Sequence, residues 1–219
     1  MQILMNNTEP AAWEVVWNFF RQGGWFMIPI LACSFIAVAV VAYKMMTLAR
    51  KMVLPADLEK KVENIESQTL ESGIYAMSRD FKAGQSTLAR LCGVAARNSE
   101  KKDNELQKIV QSAAREEIVK MHTGMPVLEV VITIAPLLGL LGTASGLVLV
   151  FANVGQGADP GKVGQGIAMA LNTTVAGLAV AVPTVIAHSH FNRKIEMMTA
   201  RLEVLLGKVT SACQQEYQA

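Results

Sequence analysis

GIAMALNTTVAGLAVAVPTVIAHSHF, residues 166–191, reads as a membrane span with polar groups inside it. Asn172, Thr173 and Thr174 stand together, Thr184 follows, and His188 and His190 close the run. A helix needs about 20 predominantly apolar residues to cross a hydrocarbon core of about 30 Å. No water is available at that depth, so each hydroxyl or amide must find its partner in protein. The polar cluster therefore asks for a second helix beside it.

Two more nearly uncharged stretches exist, Trp25–Tyr43 and Val127–Val154. The 219 residues are 52% hydrophobic, yet residues 44–126 hold 14 Lys/Arg and 11 Asp/Glu. A soluble chain would scatter its charges rather than segregate them. The reading is an all-α membrane protein with three transmembrane helices, at 25–43, 127–154 and 166–190. Arg21 is the one basic residue ahead of the first span and Lys162 the one between the second and third; the other 18 of 20 lie in 44–126 or the tail. Lys and Arg accumulate in loops on the inner side, which predicts an outer N-terminus and places 44–126 and the tail in the cytoplasm. The first run has a poor basic lead-in, so it is expected to be retained as a span rather than cleaved.

Residues 1–24 carry Trp13, Trp17, Phe19 and Phe20 among polar residues, the pattern of an interfacial amphipathic helix, with Gly23-Gly24 before the first span. In 44–126 a helix is predicted to start at Pro55, capped by Asp57, with breaks at Ser72-Gly73 and Ala83-Gly84. From Ser86 the chain reads as mostly helical, with an apolar stripe at Leu106, Ile109, Val110, Ala113 and Ile118, and it enters the second span through Gly124 and Pro126. After the third span, Ile195, Met198, Leu202 and Leu205 keep helical spacing through 191–219. Spans two and three are thus expected to continue as long cytoplasmic helices, joined at their other ends by a short loop, 155–165. That loop contains Gly161-Lys162, but Gln156 and Val163 stand where a phosphate-binding loop needs Gly and Ser/Thr. No hydrolytic signature, metal-ligand spacing or basic-aromatic patch occurs, so an enzyme, a metal or cofactor site and a nucleic-acid partner are not expected. Cys33, Cys92 and Cys213 show no pairing pattern and are read as packing or surface thiols.

In the second span, Gly139, Gly142 and Gly146 share roughly one face, and small residues of this kind let helices approach closely in lipid. Pro136 lies one turn earlier; Gly177 and Pro183 are the comparable positions in the third span. Pairing the two spans as an antiparallel hairpin from their outer ends brings Thr143 level with Thr174, and Glu129 level with His188 at the cytoplasmic mouth. The expected ion path or lumen comprises Thr143, Asn172, Thr173 and Thr174. An intramembrane amide usually bonds another helix, and Glu129 is an ionisable group at a membrane edge. No span carries a carboxylate near its centre. A machine that moves protons or ions needs such a group, so either this chain carries no ion or a partner chain supplies the acid.

IAPLLGLLGTASGLVLVF followed by GIAMALNTTVAGLAVAVPTVIAHSHF resembles the MotA/TolQ/ExbB proton channel family, closest to its ExbB/TolQ branch. The resemblance implies a homopentamer around a dimer of single-span ExbD/TolR-like partners, each with a membrane Asp that carries the ion, and Thr143 and Thr174 lining the lumen. It implies a multi-pass protein of the bacterial inner membrane, with residues 1–24 on the periplasmic side. The implied function is an energiser that couples H⁺ or Na⁺ flow to mechanical work on the envelope, as in TonB-dependent transport with a TonB-like protein. Two positions depart from the family pattern. Met169 stands where ExbB and TolQ usually carry Glu, and Thr173 adds a hydroxyl beside Thr174, as in sodium-driven stators. A non-conducting scaffold pentamer and a MotA-like sodium stator for another client are the alternatives these departures keep open.

Overall fold

The computed structural model describes residues 24–64, 86–154 and 160–218, and each regular element among them is an α-helix. In chain order these are α1 (Met27–Thr47), α2 (Arg50–Val53), α3 (Ala56–Glu63), α4 (Thr87–Arg97), α5 (Asp103–His122), α6 (Met125–Val154) and α7 (Pro160–Gln218). The amphipathic segment before Gly24, the breaks at Ser72-Gly73 and Ala83-Gly84, and 155–159 of the loop lie outside the described residues. Three stretches are long and apolar enough to cross a membrane: Met27–Thr47, one within Asp103–Ala152 and one within Val163–Gln215. The chain divides into two compact units: residues up to Ala39 with Val127–Ala187, and Val40–Pro126 with His188–Ala219.

The first, apolar unit is built from α1 up to Ala39, α6 from Val127 and the first part of α7. Met27 and Ile30 of α1 are buried against Ala176, with Leu138 and Val180 beside them. Its other surfaces expose Phe35, Leu140, Val148, Phe151, Val175 and Ile186. Such a continuous apolar exterior is costly in water and matches hydrocarbon. Pro136 and Pro183 lie inside α6 and α7 without ending either. The helix of the third span begins at Pro160, earlier than the expected 166, because a proline at the first helical position loses no intrahelical hydrogen bond.

The second, charged unit holds α2 to α5 and the rest of α7. The stripe Ile195, Met198, Leu202 and Leu205 is buried as its spacing predicts, and α7 is one uninterrupted helix of 59 residues. On α5 the buried line is Leu106, Val110, Ala114, Glu117 and Met121, rotated slightly from the expected stripe, with Ile109, Ala113 and Ile118 half-buried. Glu117 tolerates that position because Arg90 of α4 and Lys120 pair with it. Arg201 of α7 holds α3 through Glu59 at 2.6 Å and Glu63 at 3.2 Å. Ser86 caps α4, its hydroxyl accepting from the Ala89 amide at 3.2 Å. Asp57 does not cap α3: Pro55 is the N-cap, and Asp57 sits within the first turn, where a negative charge still favours the helix dipole. Between α5 and α6, Thr123 (φ −51°, ψ 128°) and Gly124 (φ +87°) form a type II-like turn, whose third residue must take positive φ. The break is therefore Gly124, whereas Pro126 lies in the first turn of α6. The Lys44 ammonium, buried, donates to the Met121 carbonyl and closes the end of α5. Cys92 and Cys213 are both buried, and burial, with the neighbouring Cys213 second, pushes the Cys92 thiol up to about 12.

Candidate functional site

The seam between α6 and α7 is made by the absence of side chains. A Cβ added at Gly139 would lie 2.8 Å from the Thr173 carbonyl oxygen, and one at Gly142 would lie 2.6 Å from the Thr173 hydroxyl. At Gly146 it would meet the Ala170 Cβ at 2.7 Å, and at Gly177 the Ala135 carbonyl oxygen at 2.5 Å. Distances this short leave no room for even a methyl group, so the two backbones are in near contact. The matched pairs run in opposite directions along the two helices, which is the antiparallel hairpin read from the sequence, and Thr143 bonds Thr174 directly.

Three hydroxyls converge at the middle of this seam on two main-chain carbonyls. Thr143 Oγ1 lies 3.1 Å from the Gly139 oxygen, 3.0 Å from the Ala170 oxygen and 3.5 Å from Thr173 Oγ1. The Thr173 hydroxyl reaches the Ala170 oxygen at 2.7 Å and the Gly139 oxygen at 3.0 Å. The Thr174 hydroxyl reaches the Gly139 oxygen at 3.1 Å. Each hydroxyl has one proton and two lone pairs. The three protons therefore find acceptors within the cluster, and lone pairs are left over. Thr173 is enclosed, at 2% exposure; Thr143 and Thr174 are half-buried at one edge of the seam. The arrangement can accept hydrogen bonds and offer oxygens to a cation. It holds no carboxylate, and a threonine hydroxyl does not titrate near neutral pH.

The other residues singled out in the sequence lie apart from this cluster. Asn172 is half-buried on α7 and makes no side-chain hydrogen bond among the described residues. Met169 is 38% exposed. Thr133 and Thr184 donate to their own helices, at Glu129 and Val180, the usual local solution for threonine in a span. Glu129 is exposed on α6 and His188 half-buried on α7; they belong to different units. Pro136 is half-buried and Pro183 exposed. Among the described residues there is no group of three or more His, Cys, Asp or Glu able to hold a metal ion. The carbonyls of Gly139 and Ala170 were not legible as participants, since any residue supplies a carbonyl and only the close approach of the helices presents these two.

Residues 75–204 match the model of the MotA/TolQ/ExbB proton channel family. An ExbB homolog of Methanothermobacter thermautotrophicus, described as a biopolymer transport protein, is 24% identical over 90% of this chain and 69% of its own length. The biopolymer transport protein ExbB of Helicobacter pylori is 35% identical over 37% of the chain and 57% of its own length. The Tol-Pal system protein TolQ of Pseudomonas aeruginosa is 31% identical over 55% of the chain and 53% of its own length. The chain thus spans between about half and somewhat over two thirds of the length of these three relatives. The matched stretch includes α4 to α6, the whole hydroxyl cluster and most of α7, and on it the chain belongs to the MotA/TolQ/ExbB proton channel family, as a multi-pass membrane protein.

Proposed function

We propose that this chain is the ion-conducting subunit of an inner-membrane energiser, in which ion flow drives mechanical work on the cell envelope. One observation carries the reading: the cluster of Thr143, Thr173 and Thr174 with the Gly139 and Ala170 carbonyls, held at mid-span in a member of a proton channel family. The spans hold no central carboxylate, so the charge carrier is an acid from another chain. The partner is a dimer of single-span ExbD/TolR-like chains bearing a membrane Asp, enclosed by a homopentamer of this protein, with a TonB-like protein as the recipient of the work. The N-terminus faces the periplasm, and residues 44–126 and the tail face the cytoplasm.

In this scheme the partner carboxylate takes up a proton from the periplasmic side and becomes neutral, which lowers its cost at membrane depth. The lone pairs of Thr143 and Thr174 accept a hydrogen bond from the protonated acid as it passes. Thr173, enclosed behind them, holds the two carbonyls and both helices in place. The proton is then released towards the cytoplasm. Sodium is the alternative cargo, because paired threonines supply oxygens that replace water around a cation. Met169, standing where a Glu is usual, favours a second reading: a pentameric scaffold that clamps partner helices without conducting. Proteoliposomes carrying the complex isolated with its native single-span partner decide between them under separate H⁺ and Na⁺ gradients. Uptake of one ion supports the energiser and names its cargo; no uptake of either by an intact complex supports the scaffold.

A further inference from the structure

Helix α5 ends at His122 and α6 starts at Met125, so only Thr123 and Gly124 stand between helices of 20 and 30 residues. Nothing in those two residues compels a break. Glycine takes positive φ readily, but it takes helical φ as well. Pro126 is no barrier either, since Pro136 and Pro183 sit inside α6 and α7 without ending them. A helix running through the junction would give the Met125 N–H an acceptor, the Met121 carbonyl four residues back. That bond is not made; the last turn of α5 closes instead with the Thr123 N–H on the Lys120 oxygen at 3.2 Å.

The Met121 carbonyl is taken by α1. Lys44 donates its ammonium to it, and the lysine is 1% exposed. Among the described residues that carbonyl is its one acceptor, and no carboxylate lies within ion-pair distance. A buried cation with so few partners is costly, so the contact is poised to be lost. A carbonyl can accept two donors, but the stem that delivers this ammonium also lies against the turn. A Cβ on Gly124 would stand 3.7 Å from Lys44 Cε and 3.3 Å from Val40 Cγ1. Val40 and Lys44 are four residues apart on α1 and share a face. Together they brace the form of the turn in which Gly124 has φ +87°.

We infer that Lys44 is a conformational pin: by holding the Met121 carbonyl it keeps residues 123 and 124 out of helix, and its release lets the helix run on through them. In the released form the Met125 N–H bonds the Met121 oxygen and Gly124 takes helical φ. Every group involved lies within Val40–Pro126, so the switch is local to the charged unit. Backbone amide exchange at Met125, in the full chain within its purified complex, tests the inference. Lys44→Met keeps an apolar stem of similar length and removes the ammonium. Exchange at Met125 should slow by about tenfold or more, because its N–H gains a helical acceptor; a rate unchanged or faster would overturn the inference. Gly124→Ala approaches the released form from the other side, since alanine resists positive φ and favours helix. It too should slow exchange at Met125, beyond the change in intrinsic rate that alanine brings, and it carries the test alone if the lysine variant fails to assemble. Unchanged or faster exchange there counts equally against the pin. Neither readout uses ion flux, so the result stands apart from the proposed function.

Discussion

Where α6 meets α7, Gly139, Gly142, Gly146 and Gly177 face Ala135, Ala170 and Thr173; the charged unit instead buries Leu88, Leu91, Leu106, Leu202 and Leu205. The contrast follows from the solvent each region meets. In water, burying apolar area is worth roughly 25 cal/mol per Å², so large side chains hold helices together. In hydrocarbon a leucine gains nothing by leaving lipid for protein, and helices associate through close backbone approach and hydrogen bonds. The same constraint that makes the seam narrow also forces its hydroxyls onto one another and onto two carbonyls. In the proposed function, the groups that meet the ion are thus the same groups that hold the helices together.

Substitutions can break this contrast in graded steps. Leu205→Ala opens a cavity in a fully buried site of the charged unit and should cost about 2–5 kcal/mol, read as a fall in the midpoint of thermal unfolding. Gly177→Ala does the reverse. It places a methyl group against the Ala135 carbonyl, which backbone cannot yield cheaply, and overpacking of this kind costs about 1–3 kcal/mol; the same unfolding assay reads it. Thr173→Val keeps the shape and removes one hydroxyl. Both carbonyls retain their helical donors, so the loss should be only about 1 kcal/mol, with the complex still assembling on size-exclusion chromatography. A pH dependence is expected in the charged unit as well. Cys92 holds its proton to about 12 when folded, against 9.0 as the ordinary value. Between these values the unfolded chain binds fewer protons than the folded one, so stability is full below pH 9 and falls as pH rises towards 12. Cys92→Ala should flatten that slope in unfolding curves recorded from pH 8 to pH 11.

Much of this was legible from spacing alone. The charge segregation located three spans, and numbering the hairpin inward from its ends paired Thr143 with Thr174, because antiparallel helices with equal rise keep register. The stripe from Ile195 to Leu205 was readable for a similar reason: one helical period holds through that part of α7. Other features depend on where a neighbour stops. Asn172 was grouped with the threonines by adjacency, although one residue turns a helix by about 100°, and its side chain makes no hydrogen bond with them. Asp57 had the composition of an N-cap, but Pro55 fixes φ two residues earlier and starts the helix there. The Lys44 clasp on Met121 joins residues distant in sequence through a main-chain oxygen, which no side-chain pattern announces. The nearness of Cys92 and Cys213 arises from packing between α4 and α7 and has no signature in their spacing.

The initial rate of ion uptake by proteoliposomes holding the Thr143→Val complex, compared with wild type at equal amounts of assembled protein, tests the central claim most directly. Thr143, like Thr173, has a hydroxyl that bonds both helices, but it lies at the accessible edge of the seam, and valine keeps its shape. An uptake rate at least about tenfold lower, with assembly unchanged, is the result this account predicts; a cost of about 1.4 kcal/mol in the barrier suffices for it. A rate equal to wild type would contradict the account and leave the cluster with a packing role alone.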